Sequence, residues 1–595
     1  MLITDFSLYL QKLEKTPSRL EMTEQLARLF NQLNFEEIPL SIYLLLGRLT
    51  PEYLSLEFQL SSKMVLRVLV QQMVQNPEKF GDGLPVSNLF SEADDGLYEK
   101  KVDEIYKKTG DIGETTQQVF ANTNTQREIK LSLLETFEAL KKIALEGGAG
   151  SQDRKVSQLL KLMQQVDALS ARFIARMVIG KLRLGFSTMT IIDALSWVKR
   201  GDKSDASFLE ELFQRKADLG ILAQMYLKGT KSNDELMAKY QASLGIPVIP
   251  ALCQRLNSTH EIIEKMQTVI AEPKYDGLRI QIHVDKETKL VRSFTRNLEE
   301  TSHMFPELKR ALSELNCKSC ILDGEIVGID KVTGEILPFQ ETSTRRRKHG
   351  VDEKAAEIPA HFYVFDVLEK DGRSLLDEPL NYRKDLLRQI TNGAEIFIPT
   401  PYIITSDPQE LKEFHEEQLV QGLEGAVMKK QDSLYKSGRK GWRWVKIKEE
   451  EGSQGKLNDT LDCVVMGYYK GKGKRVDFGL GAFLVGVVAD NGEILTVAKV
   501  GTGLTDVQFG EFKKRTDSLI VKNKPQAYLV HKNLVPDVWV EPSLIVEIAA
   551  DEITKSPIHS AGKALRFPRL VRFRDDKNVI QATQQSELET ITHLV

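Results

Sequence analysis

The chain has 595 residues, of which 41% are hydrophobic and 28% charged, and it carries a formal net charge of -3 at pH 7. That length is greater than the usual size of a domain with one hydrophobic core, so we expect about three domains. The balance of 81 Lys and Arg against 84 Asp and Glu neither requires nor excludes a polyanionic partner, because acidic surfaces can offset a basic groove. No apolar run approaches the roughly 20 residues that cross a bilayer, and the amino terminus lacks signal-peptide order, so we expect a soluble, intracellular protein with no membrane partner.

From residue 1 to about residue 235 the apolar residues recur with a helical period. Two such stripes are Val156, Leu159, Leu160, Met163 and Val166, and Leu133, Phe137, Leu140 and Ala144. The glycine-containing segment 146–151 separates them and indicates a loop. The sequence therefore predicts an all-α first domain over residues 1–235.

Short β-type runs separated by turns begin near residue 245. The clearest predicted strands are 280–284, 321–327 and 362–367, and a helical pattern follows at 380–390. This alternation predicts a second domain of the α+β class, over residues 236–452.

A polar, glycine-containing segment at 449–459 indicates a hinge. Four further apolar runs, at 463–469, 482–488, 494–500 and 543–550, indicate short strands. We therefore expect a third domain, residues 453–595, folded as a small β-barrel of the kind that often binds nucleic acid.

Four cysteines are too few and too scattered for a disulfide framework, which favours a reducing compartment. Cys317 and Cys320 form a lone CxxC pair without a second pair at zinc-site spacing. Structural zinc is therefore not predicted.

Residues 271–279 contain the pattern that carries most chemical information. Lys274 has Glu272 and Asp276 two positions away on either side, Gly277 follows, and Arg279 can take up negative charge. A lysine in this setting is a candidate nucleophile toward phosphorus. Taken alone, the hexapeptide at 274–279 is equally typical of an ordinary turn.

A lysine has a reference pKa near 10.4, about three units above neutrality, so a lysine nucleophile needs neighbours that disfavour its ammonium form. Arg279 and Lys446, together with a bound divalent metal, are candidates for that effect on Lys274.

Further segments along the chain offer side chains that could bind a nucleotide or a metal ion. Segment 293–297 offers an arginine and an amide, 322–326 places Glu325 on a strand, and 424–429 offers Glu424. In 444–448 strand alternation puts Lys446 and Lys448 on the face of Trp444. Cations on one face suit a triphosphate.

Taken in order, these motifs resemble those of ATP-dependent DNA ligases of the archaeal and eukaryotic replicative type, which belong to the covalent nucleotidyltransferase superfamily. The resemblance spans essentially the whole chain. It implies an all-α DNA-binding domain, an adenylation domain and an OB-fold β-barrel. The implied activity is ATP- and Mg²⁺-dependent sealing of nicks in double-stranded DNA during replication, repair and recombination, through lysyl-AMP and DNA-adenylate intermediates, by a monomer at the nucleoid or in the cytoplasm.

The resemblance assigns roles to individual residues. Lys274 would carry the adenylyl group, and Phe365 would stack on adenine. The other implied roles are nucleotide contacts from Glu272, Arg279, Arg296, Glu325, Lys440, Lys446 and Lys448, metal ligation by Glu325 and Glu424, and pyrophosphate orientation by Arg569, Arg572 and Lys577. Lys440 stands where the family usually has arginine, and Arg439 is adjacent, so the sequence leaves that contact to one of the two.

DNA contacts are implied for Lys181 and Arg183 in a segment that resembles the family's minor-groove contact. Arg345 and Arg346, which follow the strand of Glu325, are predicted to contact the phosphate backbone. A charged helix end and a solvated loop are the respective structural alternatives.

Other protein classes fit the sequence less well. An RNA ligase or an mRNA-capping enzyme would use the same lysine chemistry without needing the long helical domain, and a non-catalytic DNA clamp would not need Glu325 and Glu424. The zinc module expected of NAD-dependent ligases is missing. A sliding clamp is a further candidate partner, but segment 117–120 is too weak a motif to predict one, and use of ADP or GTP stays open.

Overall fold

The structure is a computed structural model that describes residues 1–80, 92–123, 131–347, 350–447, 460–470, 481–501, 506–550 and 552–593. The chain divides into two compact units, Met1–Ile447 and Lys448–Val595. The helical region and the α+β region lie together in the first unit. The limits of three separate domains stay a prediction, and the predicted hinge at 449–459 lies outside the described residues.

The amino-terminal region is helical, as predicted. Its α-helices are α1 (Ile3–Lys15), α2 (Arg19–Gln32), α3 (Glu37–Leu45), α4 (Ser62–Val74), α5 (Glu92–Thr109), α6 (Ile112–Ala121), α7 (Leu133–Leu145), α8 (Ser151–Met163), α9 (Ala168–Val178), α10 (Thr188–Arg200), α11 (Ala206–Arg215), α12 (Leu219–Gln224) and α13 (Asn233–Lys239). The two predicted stripes are the buried faces of α7 and α8, except that Val166 is buried just beyond the end of α8. A capping box between Ser132 and Glu135 satisfies backbone N–H groups at the start of α7.

The α+β region alternates strands and helices. Its elements are β1 (Gln254–Leu256), α14 (Thr259–Met266), β2 (Val269–Pro273), β3 (Leu278–Asp285), β4 (Leu290–Thr295), α15 (Ala311–Glu314), β5 (Ser319–Gly328), α16 (Phe339–Ser343), α17 (Val351–Glu357), β6 (Ala360–Lys370), β7 (Arg373–Ser374), α18 (Leu380–Ile390), β8 (Phe397–Pro399), β9 (Ile403–Thr405), α19 (Pro408–Val420), β10 (Ala426–Lys430) and β11 (Trp444–Ile447).

Two sheets organise this region. One has the strand order β4-β3-β5-β6-β7, with β8 beside β6, and the other has the order β1-β11-β10-β2-β9. A buried cluster joins them, since it contains Ile321 of β5, Leu368 of β6 and Trp444 of β11. The chain passes from one sheet to the other between β2 and β3, and Lys274 lies at this crossing.

The second unit contains the predicted barrel, an OB-fold. Its elements are β12 (Leu461–Tyr469), β13 (Ala482–Val488), β14 (Ile494–Val500), α20 (Asp506–Thr516), β15 (Ile520–Val521), β16 (Tyr528–Leu529), β17 (Val538–Val540), β18 (Ile545–Ala549), β19 (Glu552–Lys555), β20 (Lys563–Arg566), β21 (Arg569–Phe573) and α21 (Gln585–His593). The strand order is β15-β17-β12-β13-β14-β16, and β18 joins β12 to β21. The fold class is thus an all-α region, an α+β nucleotidyltransferase region and an OB-fold.

A bilayer-spanning helix is not found in the described part of the chain, because none there combines sufficient length with sufficient hydropathy.

Candidate active site

Lys274 follows directly on β2 and is fixed by backbone hydrogen bonds to the segment before β10. Its N–H donates to the Gly425 carbonyl over 2.8 Å, and the N–H of Glu424 donates to the Lys274 carbonyl over 3.1 Å. Nζ of Lys274 forms an ion pair with the carboxylate of Glu424. The structure therefore brings the predicted nucleophile against one of the two predicted metal ligands.

The pKa of the Lys274 ammonium is lowered from its ordinary value. Burial is the largest cause, because desolvation penalises the charged form, and Lys446 lowers the pKa further. Glu325, Cys253 and Asp276 act in the opposite direction. The sequence pointed to Arg279, Lys446 and a bound metal as causes; it did not predict burial, because burial depends on the whole fold.

Gly277 permits the close approach of β3 to β5. A Cβ at this position would lie 2.3 Å from the Ile326 carbonyl oxygen and 3.0 Å from Cγ of Glu325. The resulting register places Arg279 opposite Glu325. Arg279 and Glu325, both predicted to contact the nucleotide, thus lie opposite each other on neighbouring strands.

Arg279 is held by a bidentate ion pair with Asp323. Its Nε and Nη2 donate to the two carboxylate oxygens over 3.1 and 2.7 Å, and Nη1 donates to the Ala251 carbonyl over 2.6 Å. The Tyr435 hydroxyl donates to the same carboxylate over 3.0 Å. Asp323 therefore anchors the arginine beside Glu325.

The carboxyl group of Glu325 is desolvated. Burial raises its pKa to about 8, while Arg279 and Lys274 lower it. A bound cation would offset such a desolvation cost. The described residues contain no cluster of three or more His, Cys, Asp or Glu side chains that could hold a metal. Mg²⁺ is usually bound by one or two carboxylates together with substrate phosphates, so Glu325 and Glu424 fit magnesium held jointly with a triphosphate.

Phe365 lies on β6 in a group of aromatic and cationic side chains. Its ring meets that of Trp444 edge to face, with centroids 5.7 Å apart. The guanidinium of Arg279 lies 5.2 Å from the ring centroid and Nζ of Lys429 lies 4.4 Å from it. Phe365 is only partly buried, unlike Trp444 at 5% exposure.

Glu272 is buried between two lysines that sequence reasoning missed. Nζ of Lys429 lies 2.7 Å from Oε2, and Nζ of Lys384 forms an ion pair with Oε1. The three side chains are 2% exposed or less. Lys429 ends the segment 424–429 and could have been noticed, whereas nothing near Lys384 in the sequence points to this site.

Arg296 and Arg346 line a cavity of about 390 Å³ together with Arg279, Asn297 and Glu325. Arg346 also forms an exposed ion pair with Glu299 over 3.1 Å. The cavity therefore joins predicted nucleotide contacts to a predicted DNA contact.

Arg345 lies in a different environment from its neighbour. Its side chain is fully buried, and Nη2 donates to both oxygens of Glu307 over 2.8 and 2.9 Å. Nη1 donates to the Ile358 carbonyl over 2.6 Å. The geometry does not support the predicted phosphate contact of Arg345, because its guanidinium is enclosed and already hydrogen-bonded.

The basic residues on and near β11 have different surroundings. Lys446 lies on β11 opposite Val427 of β10 and is the cation that acts on Lys274. Lys440 forms an ion pair with Glu210 of α11 over 2.8 Å, while Arg439 is exposed. Lys448 lies outside the described residues.

The basic segment of the helical region lies after α9. Lys181 and Arg183 are exposed, and they alternate with the buried Leu182 and Leu184. Arg183 also approaches Asp111, with 3.1 Å between Nη1 and Oδ2. The alternation leaves both basic side chains accessible to solvent.

The second unit presents its basic motif on and after β21. Arg572 forms an ion pair with Glu547 over 2.5 Å, and Lys577 forms one with Asp462 over 2.5 Å. Arg569 is exposed and donates to the Phe567 carbonyl over 3.4 Å.

The two-sheet fold, with a desolvated lysine at the crossing and cations and carboxylates around it, defines a nucleotidyltransferase. Three family models match the chain: "DNA ligase N terminus" over residues 2–196, "ATP dependent DNA ligase domain" over 250–448 and "ATP dependent DNA ligase C terminal region" over 477–577. A "Probable DNA ligase" of Dictyoglomus turgidum is 39% identical over 99% of this chain and 97% of the relative. "DNA ligase 2" of Thermofilum pendens is 34% identical over 98% and 95%. The chain belongs to the ATP-dependent DNA ligase family.

One solved structure supports the fold over nearly the full length. The structure described as "Pmar-Lig_PreS3" has a TM-score of 0.52 and 18% identity, and the match covers 96% of this chain and 99% of that one.

Proposed function

We propose that Lys274 carries the adenylyl group in the ATP-dependent sealing of nicks in double-stranded DNA. ATP is the nucleotide of the family to which the chain belongs, and nicked DNA is its substrate. The observation that carries the residue assignment is the position of Lys274, a buried lysine of lowered pKa between Glu424 and Glu325.

In the first step, Nζ of Lys274 attacks the α-phosphorus of ATP. The lowered pKa increases the neutral fraction of the amine at neutral pH. A P–N bond forms, the bond to the bridging oxygen breaks, and pyrophosphate leaves. Lys446 and Arg296 stabilise charge on the phosphates, and the Phe365 ring stacks on the base.

Glu325 and Glu424 are the residues that would hold magnesium. When bound, Mg²⁺ would polarise the phosphate oxygens and neutralise charge. The ion pair between Glu424 and Lys274 places this ligand beside the reacting amine.

In the later steps the enzyme transfers AMP to DNA and then expels it. An oxygen of the 5′-phosphate at the nick attacks the adenylate, and the P–N bond breaks. The 3′-hydroxyl then attacks the 5′-phosphorus and releases AMP. Lys181, Arg183 and Arg346 are accessible and would contact the DNA backbone without reading sequence, which suits an enzyme that seals any nick.

We propose that three basic residues of the second unit orient pyrophosphate: Arg569, Arg572 and Lys577. We also propose that Lys440 and Lys448 contact the nucleotide. Arg572 and Lys577 would exchange their ion pairs with Glu547 and Asp462 for phosphate oxygens. These pairs are partly exposed, so the exchange costs little.

We further propose that the protein acts as a monomer inside the cell, in the cytoplasm or at the nucleoid. Recruitment by a sliding clamp through segment 117–120 is disfavoured, because Val119 and Phe120 are fully buried in α6.

Labelling with ATP tests the assignment of Lys274. The chain is incubated with ATP labelled at the α-phosphate and with Mg²⁺, denatured, and the modified peptide is identified by mass spectrometry. We expect one AMP on Lys274 and no label on Lys274→Ala. The matched control is Lys331→Ala, an exposed lysine on a turn, which should label like the original chain.

The second arm uses a nick that already carries AMP on its 5′-phosphate. Lys274→Ala should seal this substrate, because the remaining step does not need the amine. Label that stays covalently bound to the Lys274→Ala protein would refute the assignment.

A further inference from the structure

A histidine of α19 contacts the turn that carries Glu424. His415 lies four residues after Leu411 and three before Gln418, and both of these residues are buried. This spacing puts His415 on the buried face of the helix. Leu411 shares a buried cluster with Ala426, the first residue of β10. The packing of α19 therefore brings His415 to the start of β10.

The imidazole ring of His415 accepts a backbone hydrogen bond. The N–H of Ala426 donates to Nδ1 over 3.0 Å. Ala426 is 1% exposed, so loss of this acceptor would leave a buried N–H without a partner, which is costly. Because Nδ1 accepts, the ring is neutral and carries its proton on Nε2.

The same ring packs against Gly425. The φ angle of Gly425 is +86°, and a Cβ there would lie 2.2 Å from Cε1 of His415 and 2.7 Å from Nδ1. Glycine therefore permits both the left-handed backbone and the close approach of the ring. The ring occupies the space that a side chain at position 425 would need, so the turn cannot move toward α19.

Lys274 makes the other backbone contacts of this turn. Its N–H donates to the Gly425 carbonyl over 2.8 Å, and its carbonyl accepts from the Glu424 N–H over 3.1 Å. Residues 424–426 are thus held by Lys274 and His415 together.

The ion pair at the site depends on the position of this backbone. The side chains of Lys274 and Glu424 form the pair while 24% and 37% exposed. A side chain exposed to this extent is only partly fixed by packing, so the direction of Glu424 follows the turn that carries it. A displacement of about 1 Å near a reacting group can cost roughly a hundredfold in rate.

We propose that His415 is a positioning residue for the adenylation of Lys274. Through Nδ1 and through its contact with Gly425, the ring fixes the turn that places Glu424 against the reacting amine. The inference rests on the proposed function, because it requires Lys274 to accept AMP.

Three substitutions separate the hydrogen bond from the bulk of the ring. His415→Asn keeps an acceptor, Oδ1, at the same distance along the side chain as Nδ1. His415→Phe keeps a ring and removes the acceptor, and His415→Ala removes both. Formation of lysyl-AMP is measured with labelled ATP over a range of ATP concentrations.

We expect kcat for adduct formation to fall roughly ten- to a hundredfold in His415→Phe and His415→Ala. KM for ATP should change little, because His415 is not proposed to contact the nucleotide. His415→Asn should retain most of the rate. If His415→Ala does not fold, the comparison of His415→Phe with His415→Asn decides.

Hydrogen exchange followed by mass spectrometry examines the turn without nucleotide or metal. In His415→Phe the amides of residues 423–426 should exchange faster than in the original chain, whereas α1 to α13 should be unchanged. In His415→Asn exchange at 423–426 should be close to the original. The matched control is His260→Ala, at an exposed histidine of α14, which should alter neither adenylation nor exchange.

Equal rates in His415→Asn and His415→Phe would show that the acceptor does not position the turn and would overturn the inference. A loss confined to KM would also overturn it. Faster exchange throughout Met1–Ile447 in His415→Phe would assign the histidine a general structural role, with the same consequence. Absence of any adduct on Lys274 in the original chain would instead overturn the proposed function, so the two failures are distinguishable.

Discussion

Arg345 and Arg346 are neighbours in sequence with opposite environments. The Arg345 side chain is fully buried against Glu307, whereas that of Arg346 is 44% exposed at the edge of the cavity beside Glu325. A run of basic residues cannot reveal this difference, because it arises from packing against residues 304–307 and 358. At the scale of single residues, the same side chain thus serves stability at one position and ligand contact at the next.

Alanine substitution of the two arginines should give opposite results. Arg345→Ala removes the donor to the partly buried Glu307 carboxylate and to the carbonyls of Ile358 and Met304, so we expect a loss of about 2 kcal/mol in stability. Arg346→Ala should keep stability and weaken binding of nicked DNA, and the slope of log affinity against log salt should fall by about one. Thermal unfolding and DNA-binding titrations at several salt concentrations measure both effects. Equal thermal midpoints for the two variants would contradict the assignment.

At the scale of elements, the approach of β3 to β5 depends on the absence of one side chain. A methyl group at position 277 would collide with backbone at 2.3 Å, and backbone cannot move aside cheaply. Gly277→Ala should therefore separate the strands that carry Arg279 and Glu325. We expect adenylation of Lys274 to fall by more than tenfold and stability to fall by about 1–3 kcal/mol.

The matched control for Gly277→Ala is Gly96→Ala. Gly96 lies within α5, and a Cβ there would meet nothing within 4 Å. Alanine at this site should be neutral or should stabilise the helix by about 0.5–1 kcal/mol. Adenylation by Gly277→Ala at the original rate would show that the strand spacing does not control the site.

Elements with a clear period were predictable from the sequence. The helical pattern at 380–390 coincides with α18, and the runs 482–488 and 494–500 coincide with β13 and β14. The motif of Lys274 was equally visible. Its surroundings were not, because Lys384 and Lys429 reach Glu272 only through the pairing of β2 with β10 and the packing of α18, which no local pattern records.

At the scale of the whole molecule, a polar joint connects the end of the helical region to the α+β region. The Gly245 N–H donates to Nδ1 of His283 over 3.0 Å, and the Val248 N–H donates to Oε1 of Gln281 over 2.8 Å. Nε2 of His283 lies 3.0 Å from the same amide oxygen. Arg292 adds a bond to the Gly245 carbonyl over 3.2 Å. The joint requires neutral His283, since Nδ1 must accept.

Acid should loosen this joint. Burial, and secondarily Arg292, lowers the pKa of His283 to about 3, while the unfolded chain takes up the proton near pH 6.5. The unfolded state therefore binds one more proton between these values, and stability falls as pH decreases through that window. In His283→Asn the amide oxygen can still accept from Gly245 but does not titrate. We expect the free energy of unfolding of this variant to fall less steeply between pH 6 and pH 4 than that of the original chain. The difference between the two slopes should be about 1.4 kcal/mol per pH unit, which corresponds to one proton. Urea unfolding at a series of pH values measures the slope, and an unchanged slope in His283→Asn would show that the histidine does not make the joint acid-sensitive.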